Sequence, residues 1–232
     1  MNPLSDAFAA GKRLLADNPS VATLADPSVG VLPKLTVLPT MAFWVLAFGD
    51  AMALLGRTTG ETRAHHQLRQ HASEDSEHWR WFLQDLALLA KHGVGPSAAE
   101  DVLAIHWGPE TRAVREAAWT LHHLLRKHAD PVARLAILEA CEHGFDAFMS
   151  SIRPVVQAWE HYDELAYLGA VHDEAEAGHA LHAEEDPFDG VIWEDRDVAA
   201  IVRDVQAMYR ALDGLHSAYD DAVRAALRST SR

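Results

Sequence analysis

Apolar residues recur along the chain at the three- and four-residue spacing of α-helices, and no set of alternating β-branched runs bounded by turn residues interrupts them. The predicted class is all-α. Residues Pro3 to Ala16 read as a short amphipathic helix, and a proline-punctuated extended stretch from Asn18 to Pro39 is expected to wrap the body. Thr40 reads as the cap of a helix over Met41 to Gly56, whose apolar residues, from Phe43 and Trp44 to Leu54 and Leu55, predict burial on most sides. A turn at Arg57 to Gly60 leads into one long helix over Glu61 to Lys91, with an apolar stripe at Trp79, Phe82, Leu86 and Leu89 and a stop at His92-Gly93. Further helices are predicted over Ser97 to Ile105, Pro109 to Lys127, Pro131 to Glu160 with a weak point near Pro154, Tyr162 to His182, and Ala199 to Leu227. An acidic loop, Glu184 to Asp197, separates the last two. Neither a linker nor a repeat divides the chain, so residues 1–232 read as a single helical domain with 1–39 as an N-terminal wrapping segment.

Composition narrows the partners. Thirty-four acids against twenty lysines and arginines give a formal charge of -14, which repels nucleic acid and anionic membrane surfaces. Apolar stretches are broken by charge, glycine or proline before membrane-spanning length, and the first residues lack the apolar core of a secretory signal. The expected location is therefore the cytoplasm. The single cysteine, Cys141, excludes an intramolecular disulfide and sits in an apolar helix as a packing thiol. A helical bundle of this size with aromatic surface candidates is compatible with a homodimer.

The chemistry concentrates in two segments. Residues 71 to 78 read His-Ala-Ser-Glu-Asp-Ser-Glu-His, and residues 172 to 179 read His-Asp-Glu-Ala-Glu-Ala-Gly-His. At about 100° per residue a spacing of seven returns a side chain to within about 20° of its start, and spacings of three and four share that face. His71, Glu74, Asp75 and His78 can thus converge on one helix side, and His172, Glu176 and His179 on another. Glu139 lies in the apolar run Leu135 to Ala140, where a carboxylate needs a cation or hydrogen-bond partner, and Glu142 and His143 follow it as substitute or supporting groups. Imidazoles and carboxylates presented from facing helices are the donor set of a non-haem iron or manganese centre.

The segment His172-x3-Glu176-x2-His179 resembles the late metal motif of the haem-oxygenase-like diiron oxidase superfamily, the CADD- and UndA-like proteins related to TenA and PqqC. The resemblance covers about residues 38 to 225 and rests on helix order and ligand spacing. It implies a haem-oxygenase-like bundle of about seven helices, with metal ligands at His78, Glu139, His172, Glu176 and His179. His71 stands where the family usually has its first carboxylate, with Glu74 or Asp75 as replacement from the next turn, and Glu176 stands where it commonly has Asp. The implied activity is an iron-dependent oxidase or oxygenase, with one or two iron ions, that uses dioxygen and an electron donor to oxidise a small organic substrate. Neither haem nor a nucleotide is expected. Phe43, Trp44, Phe48 and Trp81 are candidate substrate-pocket residues, and Tyr167 a candidate hydrogen-bond or proton donor. Two alternatives stand beside this reading. One is a ferritin-like four-helix bundle built on Asp75-x2-His78 and Glu176-x2-His179 with Glu139 and Asp50, which differs in not requiring His172. The other is a metal-free TenA- or PqqC-like enzyme or a small-molecule-binding helical protein, in which the histidines tune a pocket.

Overall fold

The computed structural model describes residues 2–96, 98–180 and 187–230; the side chains of 99, 176–180 and 230 fall outside that description. The chain runs α1 (Ser5–Ala16), α2 (Pro19–Ala25), α3 (Val31–Leu35), α4 (Val37–Leu55), α5 (Arg63–Asp75), α6 (His78–Lys91), α7 (Ala99–Trp107), α8 (Arg112–Lys127), α9 (Pro131–Gln157), α10 (Ala170–Ala180) and α11 (Val198–Thr230). No strand occurs among the described residues.

Four expectations change. The stretch from Asn18 to Pro39 is not extended: it carries α2, α3 and the start of α4. Its prolines sit where helices tolerate them, because the first-turn N–H groups have no intrahelical partner for a proline to remove. Pro19 opens α2, whose cap is Asn18 accepting from the Ser20 N–H at 3.0 Å, and Pro33 and Pro39 each lie three residues into their helices. Thr40 is consequently inside α4 and no cap; its hydroxyl donates to the Thr36 carbonyl at 3.0 Å.

The long helix over Glu61 to Lys91 is two helices, broken at Ser76 and Glu77. Three acids in four positions, Glu74, Asp75 and Glu77, repel one another there, and Asp and Ser compete for backbone hydrogen bonds. The predicted helix over Tyr162 to His182 begins only at Ala170, after a short 3-10 turn at Tyr162–Glu164 and an irregular run to Gly169. A Cβ at Gly169 would fall 2.0 Å from the Leu165 carbonyl oxygen, so this bend requires glycine. The end of that prediction at His182, and residues Glu184 to Asp186 of the acidic loop, lie outside the described residues.

α4 is the central helix, packed against α5, α6, α7, α8 and α11, while α1 and α2 lie along α9 and α11. The run Val31–Leu55 is long and apolar enough to cross a membrane by length and composition alone. In the fold it is not free-standing: the helices packed against α4 bury one side of it, while Leu46, Asp50 and Ala53 stay exposed. Two buried apolar clusters fill the interior. One gathers Leu15, Met52, Leu68, Leu121, Ile137 and Tyr209, the other Leu38, Met41, Phe82, Phe148, Ile152 and Tyr219. Burying one such side chain contributes about 1.5–3 kcal/mol. Trp44 packs against both clusters and marks the seam between them.

Candidate functional site

At that seam, polar groups from four helices meet. His71 and Asp75 lie one turn apart on α5, which brings His71 Nε2 to 2.8 Å from Asp75 Oδ2. The same nitrogen is 3.1 Å from Oε1 of Glu142 on α9. These three residues each offer a ligand atom, and the three atoms lie within 4.8 Å of one another. His78, the first residue of α6, places Nδ1 3.6 Å from Asp75 Oδ1 and 3.2 Å from Nε2 of His172 on α10. The break between α5 and α6 therefore brings the two ends of the first histidine segment together from separate helices.

His172 is 2% exposed, and its Nδ1 lies 2.7 Å from the Tyr167 carbonyl oxygen. A carbonyl only accepts, so Nδ1 carries the proton and Nε2 of the neutral ring points its lone pair towards His78. That tautomer is the one in which a buried imidazole serves a metal through Nε2. The Tyr167 carbonyl is itself held in place. Asp85, fully buried on α6, accepts from the N–H groups of Ala166 at 2.7 Å and Leu168 at 2.8 Å. Burial pushes the Asp85 carboxyl above its ordinary range, although the backbone donors pull it down. For His71, burial acts to lower the imidazole, but the Glu142 charge and the hydrogen bonds to Asp75 and Glu142 outweigh it and raise it well above its ordinary value. Cys141 is buried beside Glu142, and desolvation pushes its thiol well up, as an inert packing thiol requires.

A small cleft of about 40 Å³ opens on this cluster. Asp75, His78, Glu142 and His172 form its polar side, and Trp44, Val45, Phe48, Trp79, Phe145 and Tyr167 its apolar side. Gly49 is a close approach: a Cβ there would stand 3.3 Å from the Trp79 ring.

Of the residues singled out in the sequence, His71, His78 and His172 come together, with Asp75 and Glu142 supplying the carboxylates. Glu74 accepts from the Gln70 side chain at 3.0 Å and is not one of the three clustered donors. Glu139 also lies outside that group; its Oε1 is 3.2 Å from His143 Nε2, in a different network. Positions 139 and 142 differ by about 60° around a helix, enough for their carboxylates to leave α9 on diverging sides. Glu176 and His179 are on α10, and their side chains lie outside the described residues. Trp44, Phe48 and Tyr167 line the cleft. Trp81 instead stacks on His78, with centroids 4.7 Å apart and planes at 18°. Phe43 is a correction: one residue from Trp44, it is turned by about 100° around α4 and packs on Trp107 and Trp119. The cleft residues Trp79 and Phe145, and Asp85 behind them, were not anticipated. Asp85 did have a signal, being an acid seven residues after His78 on the same helix face.

No protein-family model and no curated protein matches the chain. Among solved structures, it is similar to a domain of unknown function with a haem-oxygenase-like fold from Shewanella denitrificans, with 18% identity and a TM-score of 0.60 over 95% of this chain and 90% of that one. Between the two bundle readings of the sequence this decides against the ferritin-like one, and the chain has a haem-oxygenase-like fold.

Proposed function

We propose that the chain is a non-haem metal-dependent oxidase or oxygenase in which His71, Asp75 and Glu142, with His78 and His172 beside them, hold one or two iron ions at the wall of the cleft. The observation that carries this reading is the meeting of one imidazole nitrogen and two carboxylate oxygens within 4.8 Å, next to His172, whose Nδ1 is engaged by the Tyr167 carbonyl and whose Nε2 faces His78. Nitrogen and oxygen donors of this kind suit iron and also manganese. Glu176 and His179 would complete the set in the resembling family. Iron, when bound, supplies reductive activation of dioxygen, with electrons from an outside donor. The chain's own residues do the rest. Asp85 fixes the Tyr167 carbonyl, which fixes the His172 ring; Trp81 stacks on His78 and holds its plane. Trp44, Phe48, Trp79 and Phe145 keep water from the apolar half of the cleft and give a small organic substrate a surface to lie on.

One observation favours a metal-free enzyme or binding protein instead. His71 is already hydrogen-bonded to both carboxylates, so the imidazole links Asp75 and Glu142 with no ion between them. Anaerobic reconstitution with Fe(II), metal analysis, and optical spectroscopy after exposure to dioxygen separate the two. Stoichiometric iron that is lost in Asp75→Asn, Glu142→Gln and His172→Ala is the expected result. No bound iron, together with a melting temperature indifferent to Fe(II) and Mn(II), would leave the metal-free reading.

A further inference from the structure

α7 is nine residues long, and none of its described side chains is buried. A helix that short does not stand on intrinsic propensity and needs a surface to pack on. Its own chain supplies one mainly through α4. The outer face of α7 is apolar: Leu103 and Trp107, one turn apart, are each 66% exposed. The apolar surface continues from there. Phe43 on α4 meets the Trp107 ring at 5.6 Å and the ring of Trp119 on α8 at 6.5 Å. Trp119 is 55% exposed, and Leu46, one turn after Phe43, is 44% exposed.

The centre of this patch is held from behind. The Arg115 guanidinium lies 5.3 Å from the Trp107 ring centre and donates to the Gly108 carbonyl at 3.1 Å and the Thr111 hydroxyl at 3.0 Å, in the turn between α7 and α8. A ring fixed in this way loses little freedom when it is covered, which is how aromatic anchors gain affinity.

Area and charge say what covers it. A buried aromatic side chain takes 150–250 Å² out of water, so each tryptophan leaves about 100–150 Å² exposed. With Leu46 and Leu103 the apolar area is on the order of 500 Å², at the upper end of what a monomer exposes in one patch. A standard interface takes about 800 Å² from each partner, roughly 65% of it apolar in homodimers, which is again on the order of 500 Å². The whole chain carries a charge of -14, which opposes self-association. This face escapes that repulsion. α8 has Arg112, Arg115, Arg126 and Lys127 against Glu116, while α4 and α7 have Asp50, Glu100 and Asp101, so the three helices carry no formal net charge. Since α4 lies between the other two, a twofold axis along it sets acidic α7 of each copy against basic α8 of the other.

We propose that this face binds a second copy of the chain, forming a twofold dimer in which Leu103, Trp107 and Trp119 of each copy are covered by the other. α4 then has one face in the dimer and, through Trp44 and Phe48, another at the cleft. The dimer goes beyond the metal reading and stands without it.

Sedimentation of the metal-free full chain from submicromolar to high micromolar concentration tests this. Twice the chain mass of 25.6 kDa is expected at the upper end, with dissociation on dilution. Leu103→Glu and Trp119→Glu place a charge at positions more than half exposed, so each should keep its helix content by circular dichroism. Each should weaken the dimer about a hundredfold, the size of an interface hot spot. Ile192→Glu, 65% exposed in the loop before α11 and outside the patch, should leave it unchanged. Hydrogen exchange gives a second readout: α7 amides should exchange more slowly in the native dimer than in Leu103→Glu at the same concentration. A monomer at every concentration overturns the proposal, and its co-sedimentation with phosphatidylcholine vesicles assigns the patch to a membrane surface instead. A dimer that both patch variants leave as tight as Ile192→Glu uses another face and overturns it equally.

Discussion

His216 illustrates how one buried side chain couples this fold to pH. It is 2% exposed on α11 and stacks on Tyr219 with centroids 5.5 Å apart. Burial pulls its pKa down to about 4, against the opposing pull of Asp213 and a hydrogen bond to the Gly144 backbone. The unfolded chain has an ordinary imidazole near 6.5, so as pH falls it takes up the proton first. Stability must therefore drop between about pH 6.5 and pH 4, by about 3 kcal/mol at the lower end for a shift of this size. His216→Phe keeps the stack and removes the titration. Urea unfolding at pH 7 and pH 4.5 should show the native chain losing more stability than the variant, and parallel losses would contradict the assignment. Acids such as Asp204, held low by Lys127 and His128 against its burial, contribute equally to both proteins and cancel. Nothing in the sequence separates His216 from an exposed histidine such as His66, because burial of a lone imidazole is decided by distant packing. His71, His78 and His172 were legible only because helical spacing tied them to acids and to each other.

Helix order was legible at the scale of elements because the apolar spacing persists over long segments, as in α8, α9 and α11. The boundaries that matter for the site were not. The α5–α6 break falls where three acids crowd one turn, and the late start of α10 follows a loop whose backbone groups a side chain takes over; periodicity is blind to both. Asp85 is the clearest instance. Its carboxylate takes the N–H groups of Ala166 and Leu168, ties α6 to the loop before α10, and thereby positions the carbonyl that orients His172. Asp85→Ala strands two buried donors and should destabilise the chain by roughly 2–4 kcal/mol in urea unfolding. Asp85→Asn keeps one acceptor oxygen and should cost less. A loss below about 0.5 kcal/mol in Asp85→Ala, the level of an ordinary surface change, would show that the loop does not depend on this carboxylate.

For the molecule as a whole, the candidate cluster joins α5 to α9 directly, with α6 and α10 reached through His78 and His172. An ion held there would cross-link segments far apart in sequence that the unfolded chain cannot hold together, so it would bind the native state and raise its stability. At free metal about a hundredfold above the dissociation constant the gain is about 2.7 kcal/mol. In a chain of this length roughly 2–4 °C accompanies each kcal/mol, so the melting temperature should rise by about 5–10 °C. The net charge of -14 supplies a competing cause, because any divalent cation screens self-repulsion. Magnesium distinguishes the two: it screens as well as manganese does but favours water and oxygen ligands over imidazole. Fe(II) and Mn(II) should therefore stabilise the native chain in anaerobic thermal melts while magnesium at equal ionic strength does little, and Glu142→Gln should flatten the metal response without changing the response to salt. If magnesium matches manganese, or Glu142→Gln responds like the native chain, the stabilisation is screening of the acidic surface, and the polar cluster at the seam works without a metal.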